Sequence, residues 1–599
     1  MKRKFYGVLV GAVASATVLL SSVANAESFK NASGSIEGAL DSTLTIGFGK
    51  RIQSQSCALI GDTNSACGAS ANTAQWSAGD NGDLNYNKGD FFSAYLKGTH
   101  ELLMSIPEEK IKIMLRASWL KDFKADRTRR TDLSKDARDQ VVNDVRLLDA
   151  WISKQFEIGG QTARIRLGNQ VINWGESLYG VGGINATNSL DFQRLLVPGT
   201  QIKEAVLPAP MISLASALGN GFNVEGYYQF GWNRNRLPPV GSYFSVADYY
   251  DKGREQVSYN GGNYNVTGLD PSAVTGKRNP TISDVLATGN ADFWVPTIDD
   301  KTPRKQGQYG LSLHYKPQGA DIDFGVYYLN YHDKAPVLNL AGSGTEFQWQ
   351  FKEDRKLFGV SANFPLGNWA VGTELSYRPK DAVALSGCFG TGGPLDANTN
   401  GVVLDNCPLW ADNKKFQFHL TGQLQLTPGD HKPVLDFLGA DAGFLTAELV
   451  AVKYPGIGAN KRITRTIEGH SVDQVPAAGY LVFLDRTNQA SPITAGGGTD
   501  ISAGYVVDFN WTYDGTVIPG WQLTPGVTFS HSFKGNTPTF TANYLDGAKS
   551  ANIYLLFNQN PIKWQAGLNI TKFFGGKTDP LRQVYSDRDF VGGFVSYSF

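Results

Sequence analysis

Joints between strand-like segments alternate in length along this chain, and that rhythm restricts the fold more than any other feature. Segments in which apolar and polar residues take turns run over 44–53, 91–104, 110–120, 145–157, 162–174, 210–217, 222–232, 308–316, 322–331, 355–364, 369–377, 415–426, 444–453, 502–512, 521–531, 551–557, 564–573 and 589–599. Such period-two alternation puts the two residue classes on opposite faces of a sheet. Short joints such as Pro107-Glu108-Glu109, Gly159-Gly160, Gly219-Asn220-Gly221, Gly367-Asn368 and Asp514-Gly515 trade places with long ones, notably 121–144 and 233–307. A sheet closed across a membrane has tight turns on one side and loops on the other. The expected fold is therefore all-β: a transmembrane antiparallel barrel of about eighteen strands, with fourteen or sixteen as alternatives. One joint, 427–442, falls by count on the short side and is long. Either it is an excursion on that side, or the count is off by a hairpin there.

Lys2, Arg3 and Lys4 precede an apolar stretch, 5–23, that ends in Ala24-Asn25-Ala26. This reads as an export signal, 1–26, cut after Ala26 to leave a single mature unit, 27–599. Cleavage removes those three cations and takes the net charge from +0 to −3. No basic stripe remains to attract nucleic acid. Beyond residue 26 no run of eighteen apolar residues offers a spanning helix. Trp174, Trp232, Trp369, Trp511, Trp521 and Trp564 fall near strand ends, where interfacial aromatic girdles sit. In the last strand Val591, Gly593, Val595, Tyr597 and Phe599 share one face, and a terminal Phe suits recognition by a barrel-assembly machinery. The four cysteines form two sequence-local pairs, Cys57/Cys67 and Cys388/Cys407. Oxidation is expected in an exported chain, and local pairing would staple two long loops.

The stretch 162–232 bears most directly on function. Its first strand sets Ala163, Ile165 and Leu167 on one face and Arg164, Arg166 and Gln170 on the other. Arginines are unwelcome against lipid and comfortable in a watery lumen. The joint that follows is too apolar for a surface loop, with Leu178, Ile184, Leu190, Phe192, Leu195, Leu196 and Val197. Long joints are usually functional, and a barrel of this size encloses an aqueous channel unless something fills it. We therefore expect 174–207 to fold inward as a constriction. The candidate pore residues are Arg164, Arg166, Gln170, Asn173, Trp174, Glu176, Asp191, Arg194, Lys203 and Glu204. Opposed charges across a pore would create a transverse field that orients polar solutes. Alternatively Glu176, Arg164 and Arg166 would pair across the lumen to fasten the loop to the wall.

The runs NQVINWGES (169–177), GGINATN (182–188), VPGTQIKEAVLPAPM (197–211) and EGYYQFGW (225–232) together resemble the domain of unknown function 1302 family of proteobacterial outer-membrane proteins. The opening 34–52, LNYNKGD at 84–90 and the ending SDRDFVGGFVSYSF look like the same family, so the resemblance spans essentially the whole mature chain. It implies an outer-membrane β-barrel in envelope transport of a hydrophobic or lipid-like compound. Outer-membrane lipid, the barrel-assembly machinery acting on Phe599, and periplasmic or inner-membrane lipid-export components are the partners it implies.

Two other constellations bear on chemistry. Asp83, Asn85, Asn87 and Asp90 place oxygen side chains at a calcium-loop spacing around Gly89. The distal Glu of an EF-hand is missing, and a tight Asx/Gly turn is the competing reading. No other cofactor is expected. His100, His314, His332, His419, His431, His470 and His531 are scattered, and no G-x-S-x-G occurs. His419, on the face opposite Phe416, Phe418 and Leu420, is the one histidine to weigh for an embedded hydrolase, which would need Ser, His and a third group converging. A lumen or interface position is the plainer reading. Gly180, Gly182 and Gly183 lack the strand-then-helix context of a phosphate loop and read as tight turns. The expected function is non-enzymatic: passage of a small amphipathic or hydrophobic, lipid-like solute across the outer membrane. A general or charge-selective porin is the alternative in the same place. An outer-membrane enzyme and a surface adhesin using 233–307, expected to be a large extracellular insert, are the alternatives of other classes.

Overall fold

Alternation along each strand divides the molecule into a wet side and a greasy side. Leu568 and Ile570 are about half exposed, whereas Asn569 and Thr571 turn the other way and both bond Asn552 Oδ1, at 3.0 and 2.9 Å. The same holds for Phe416, Phe418 and Leu420 outside against the buried Gln417, His419 and Thr421. In this computed structural model the described residues are 27–599 except 62–64, 73–79, 255–256, 259–293, 296, 342–345, 388–403, 405, 480–481, 483–496, 562 and 577–580. The segment 1–26 with its cleavage point after Ala26, Cys388 and much of the 233–307 insert lie outside the described residues.

Eighteen strands close into one antiparallel barrel. In chain order they are β1 Glu37–Arg51, β2 Phe91–Ile106, β3 Ile111–Asp122, β4 Asn143–Ile158, β5 Gln161–Gln170 and β6 Ala209–Gly219. Then come β7 Phe222–Gln229, β8 Gln308–Tyr315, β9 Asp323–Tyr331, β10 Arg355–Leu366, β11 Trp369–Ser386 and β12 Trp410–Leu426. The last six are β13 Ala442–Lys453, β14 Ile501–Asp514, β15 Trp521–Lys534, β16 Ala548–Gln559, β17 Trp564–Gly575 and β18 Phe590–Ser598. Each pairs with its neighbour in sequence, and β18 returns to β1 from Thr43↔Ser598 to Arg51↔Phe590. Closure leaves no free edge, the condition for a sheet surrounded by hydrocarbon.

The joint 427–441 is an excursion at the short-turn end, and the strand count stands. It holds a helix, Lys432–Leu438, whose Leu435 packs on Leu424 and Leu426. Trp369, Trp511, Trp521 and Trp564 all sit toward this end, and Trp564 packs on Tyr597 with ring centroids 4.7 Å apart. At the long-loop end Cys57 and Cys67 are joined by a disulfide, and Cys407 is also disulfide-bonded. The described start of the large insert turns inward instead of outward. Tyr243 and Phe244 pack with Phe92, Tyr585 and Phe590, while Tyr249 and Tyr250 join Leu338, Leu340, Phe347 and Trp349 in an apolar core formed by the long loops.

The outer belt makes a direct prediction. Lysine at Leu568, 53% exposed on that belt, is expected to destabilise the barrel in lipid vesicles by ~2–4 kcal/mol if the position lies near the bilayer midplane. Lysine at Gln155, which lines the lumen beside Arg164, should change stability by no more than ~0.5 kcal/mol. Urea unfolding midpoints of the two variants read the difference.

Candidate functional site: the inner loop and the lumen wall

Gln170 at the end of β5 and Ala209 at the start of β6 are register partners, so 171–208 leaves the wall and returns to it at one point. Its greasy residues have no water-facing outlet there and enter the barrel. Leu178 and Tyr179 pack with Val450, Val452, Tyr454 and Val506. Ile172, Trp174 and Ile184 pack with Tyr227, Tyr327, Leu329 and Leu357. Leu196 reaches Phe92 and Tyr243. The lumen at this level is a packed interior.

A loop without long ladders carries backbone N–H groups that need acceptors once buried. Two buried carboxylates supply them, Glu374 on β11 and Glu448 on β13, with the buried His419 of β12 between them. Glu374 and His419 are register partners, and Glu448 sits opposite Thr421. Glu448 Oε2 accepts from the backbone N–H of Leu178 (3.1 Å), Gly180 (2.9 Å) and Tyr179, while Oε1 lies 2.6 Å from His419 Nδ1. Glu374 accepts from the N–H of Glu176 (2.7 Å) and of Ile184 (3.0 Å). The second ring nitrogen of His419 is 2.9 Å from Gln417 Nε2, which also donates to Val181 O at 2.8 Å. Hydrogen bonds to ionised acceptors in a water-poor setting are the strong kind. The approach is so close that only glycine fits: a Cβ on Gly180 would stand 2.7 Å from His419 Cε1, and Gly182 and Gly183 have φ of 96° and 61°.

The charged candidates fasten the same loop. Asp191 accepts from Arg194 N–H (2.7 Å) and pairs with Arg146 (2.6 Å) and Arg236 (3.3 Å). Arg194 pairs with Asp144 at 2.9 Å. Lys203 and Glu204 reach separate partners on β2, Glu101 and Lys97, the latter at 2.7 Å. Glu176 accepts from Asn363 Nδ2 at 2.8 Å. Arg164 and Arg166 lie elsewhere, lining a lumen cavity of about 330 Å³ with Lys112 and Gln155, and Arg166 stacks 4.3 Å over Trp151. Fastening therefore runs through partners other than Arg164 and Arg166.

Gln170 is buried against Met211 O (3.0 Å) and Ser213 Oγ (3.0 Å), and Asn173 is exposed. Trp174 is a lumen residue and not part of a girdle. Strand β5 stops at Gln170, and the indole, 4% exposed, donates to Glu225 Oε2 at 2.9 Å.

The Asp83–Asp90 segment disperses its oxygens. Asp83 pairs with Arg51 (2.6 Å) and Asp90 with Arg129 (2.5 Å). Asn85 Oδ1 accepts from Arg130 and Thr131 N–H, at 3.1 and 2.9 Å. Asp90 N–H donates to Asn87 O at 3.0 Å, closing the turn.

Sequence reasoning missed Glu374 and Glu448. Each is the lone charge in an otherwise uncharged inward-and-outward run, VGTELSY and LTAELVAV. An isolated carboxylate at an inward strand position is the available signal for a buried partner.

Above the clamp, at the long-loop end, a cavity of about 170 Å³ opens between 180–190 of the inner loop, the 331–338 segment, β11 and Lys415 of β12. Arg378 donates to Gly183 O (3.2 Å) and shares Asp381 with Lys415, at 3.2 and 3.6 Å. In the loop after β9, burial pushes the Lys334 ammonium down to about 7. Burial also pushes Asp333 up to about 6, with Arg355 at 3.0 Å opposing the rise.

Solved structures with some likeness in fold to this chain are known. They include Acinetobacter baumannii OccAB2 (10% identity, 94% of this chain and 98% of that one, TM-score 0.40) and a BenF-like porin from Pseudomonas fluorescens Pf-5 (7%, 94% and 98%, 0.40). Pseudomonas aeruginosa OpdK, solved with vanillate, is a third (9%, 94% and 98%, 0.39). No curated protein matches the chain in sequence. The model of the family described as protein of unknown function (DUF1302) matches residues 8–599. With nearly its whole length so matched, the chain belongs to the DUF1302 family.

Proposed function

We propose that the protein is an outer-membrane channel, closed at rest by the inner loop, that passes a small amphipathic or hydrophobic solute. The observation that carries this reading is the Glu374–His419–Glu448 clamp, which spends three buried polar side chains on holding one loop inside a closed barrel. The short-turn end would face the periplasm and the long-loop end the outside. The export signal 1–26 and recognition of Phe599 by the assembly machinery belong to the same proposal. The apolar and aromatic side chains of the loop and of the wall it packs on, among them Leu178, Trp174 and Tyr327, favour an amphipathic cargo over a sugar. His419 is buried with both ring nitrogens engaged, which supports a fastening role over a hydrolytic one. A charge-selective porin is favoured only by the cationic lining at Lys112, Arg164 and Arg166.

Swelling of protein-loaded vesicles separates these readings. Phenyl glucoside is expected to enter faster than glucose, although it is larger. Faster entry of glucose would mark a general porin, and swelling no faster than in protein-free vesicles by both the parent and a 174–207 deletion would remove the channel.

A further inference from the structure

Charge in the upper cavity does not close on itself. Lys334, Arg378 and Lys415 line it, against two carboxylates, Asp333 and Asp381. Asp381 is occupied by Arg378, Lys415 and the Tyr454 hydroxyl (2.6 Å), and Asp333 is occupied by Arg355, which does not line the cavity. Lys334 is left over. It is 5% exposed, its ammonium meets Gln308 Oε1 at 3.3 Å and the Trp232 ring at 5.9 Å, and among the described residues it has no carboxylate within ion-pair reach. Burying a cation without a counter-ion is costly. The lining also includes the apolar side chains of Val337, Leu338 and Phe540.

We propose that this cavity binds a small amphipathic monocarboxylate, its carboxylate at Lys334 and its apolar body against Val337, Leu338 and Phe540. The size fits: an apolar cavity of ~150 Å³ holds benzene, so about 170 Å³ takes one ring or a short alkyl chain with its carboxylate partly outside the apolar part. As an assignment of cargo class it rests on the channel reading; as a binding site it does not. The pH dependence follows from the groups facing the ligand: Asp333 beside Lys334, Arg378 and Asp381 from β11, and Lys415 from β12. Lys334 gains its proton as pH falls through about 7, and Asp333 loses its charge as pH falls through about 6. Both changes add positive charge, so affinity rises from pH 8 to pH 6.

Calorimetric titration of the full chain in detergent tests this with benzoate and hexanoate, against benzamide and inorganic phosphate. Benzoate or hexanoate is expected to bind, the two arms telling an aromatic from an alkyl body. Benzamide and phosphate should bind about ten-fold more weakly or worse. Lys334→Met should weaken the carboxylate by a similar factor, and Lys334→Arg should restore it. Met fills the same buried stem without a charge, and heat-resistant migration of the folded barrel on gels verifies that each variant is intact. Equal affinity for benzamide, phosphate binding as tight as benzoate, no binding of either carboxylate, or a Lys334→Met variant that binds like the parent would overturn the site. Loss of the site with swelling by the 174–207 deletion intact would leave the channel standing; binding by the parent without swelling by either protein would do the reverse.

Discussion

Deleting 174–207 is expected to raise single-channel conductance in planar bilayers by roughly ten-fold or more, because barrels of this size hold an aqueous channel once nothing fills them. The deletion is structurally mild. Gln170 and Ala209 are already hydrogen-bonded neighbours on β5 and β6, so residues 171–173 and 208 remain as a hairpin joint of ordinary length. No barrel strand loses a partner, since the loop meets the wall through side chains such as Glu374, Glu448 and Lys97. The removed apolar groups, including Leu178, Ile184 and Leu196, would expose Val450, Leu357 and Phe92 to water, but their strands stay paired on both sides. An intact barrel with unchanged conductance would mean that the loops at the mouth close the lumen, and the inner loop does not.

The second large effect belongs to Glu448. Alanine there leaves the N–H groups of Leu178, Tyr179 and Gly180 and the ring of His419 without their acceptor at once. Breaking a buried charged contact of this kind costs ~3–5 kcal/mol. If that falls on the seated loop alone, the unseated population rises roughly a hundred-fold or more. Glutamine keeps an oxygen acceptor but no charge, and a charge-assisted bond is about twice as strong as a neutral one. Glu448→Gln should therefore fall between parent and alanine. Open probability in bilayer recordings reads the order parent, glutamine, alanine. An alanine variant as quiet as the parent would show that the Asp144, Glu101 and Lys97 contacts hold the loop without the clamp.

How much of this was legible follows from the range of the interactions. Strands such as 415–426 could be read because hydrocarbon outside and polar groups inside impose a local period of two, which placed His419 inward correctly. The inner loop could be read from composition, since Leu178, Ile184, Phe192 and Leu196 had nowhere else to go. Its attachment could not. Leu178 and Glu448 are 270 residues apart, and the loop takes partners from β2, β4, β10, β11 and β13 according to how the barrel closes. Trp174 went wrong for a local reason: β5 ends at Gln170, and the aromatic that looked like a strand end lies within the loop. Arg164 and Arg166 line a cavity at the short-turn end, and packed Tyr, Val and Leu side chains fill the lumen higher up.

The central claim is that the lumen opens when the loop leaves the wall, and a reversible tether measures it. A Cβ built on Gly372 stands 3.1 Å from Glu176 Cβ, a few tenths of an ångström inside the roughly 3.5–4.5 Å span of a disulfide, and 2.6 Å from Thr421 Oγ1, whose hydroxyl must turn aside. Cysteines at both positions in the Glu448→Ala background would tie the loop to β11 when oxidised and release it when reduced, with Glu448→Ala alone as the control for the reductant. Silence is expected in the oxidised state and frequent openings in the reduced state of the same protein. Equal open probability in both states, with the tether shown to form, would contradict it.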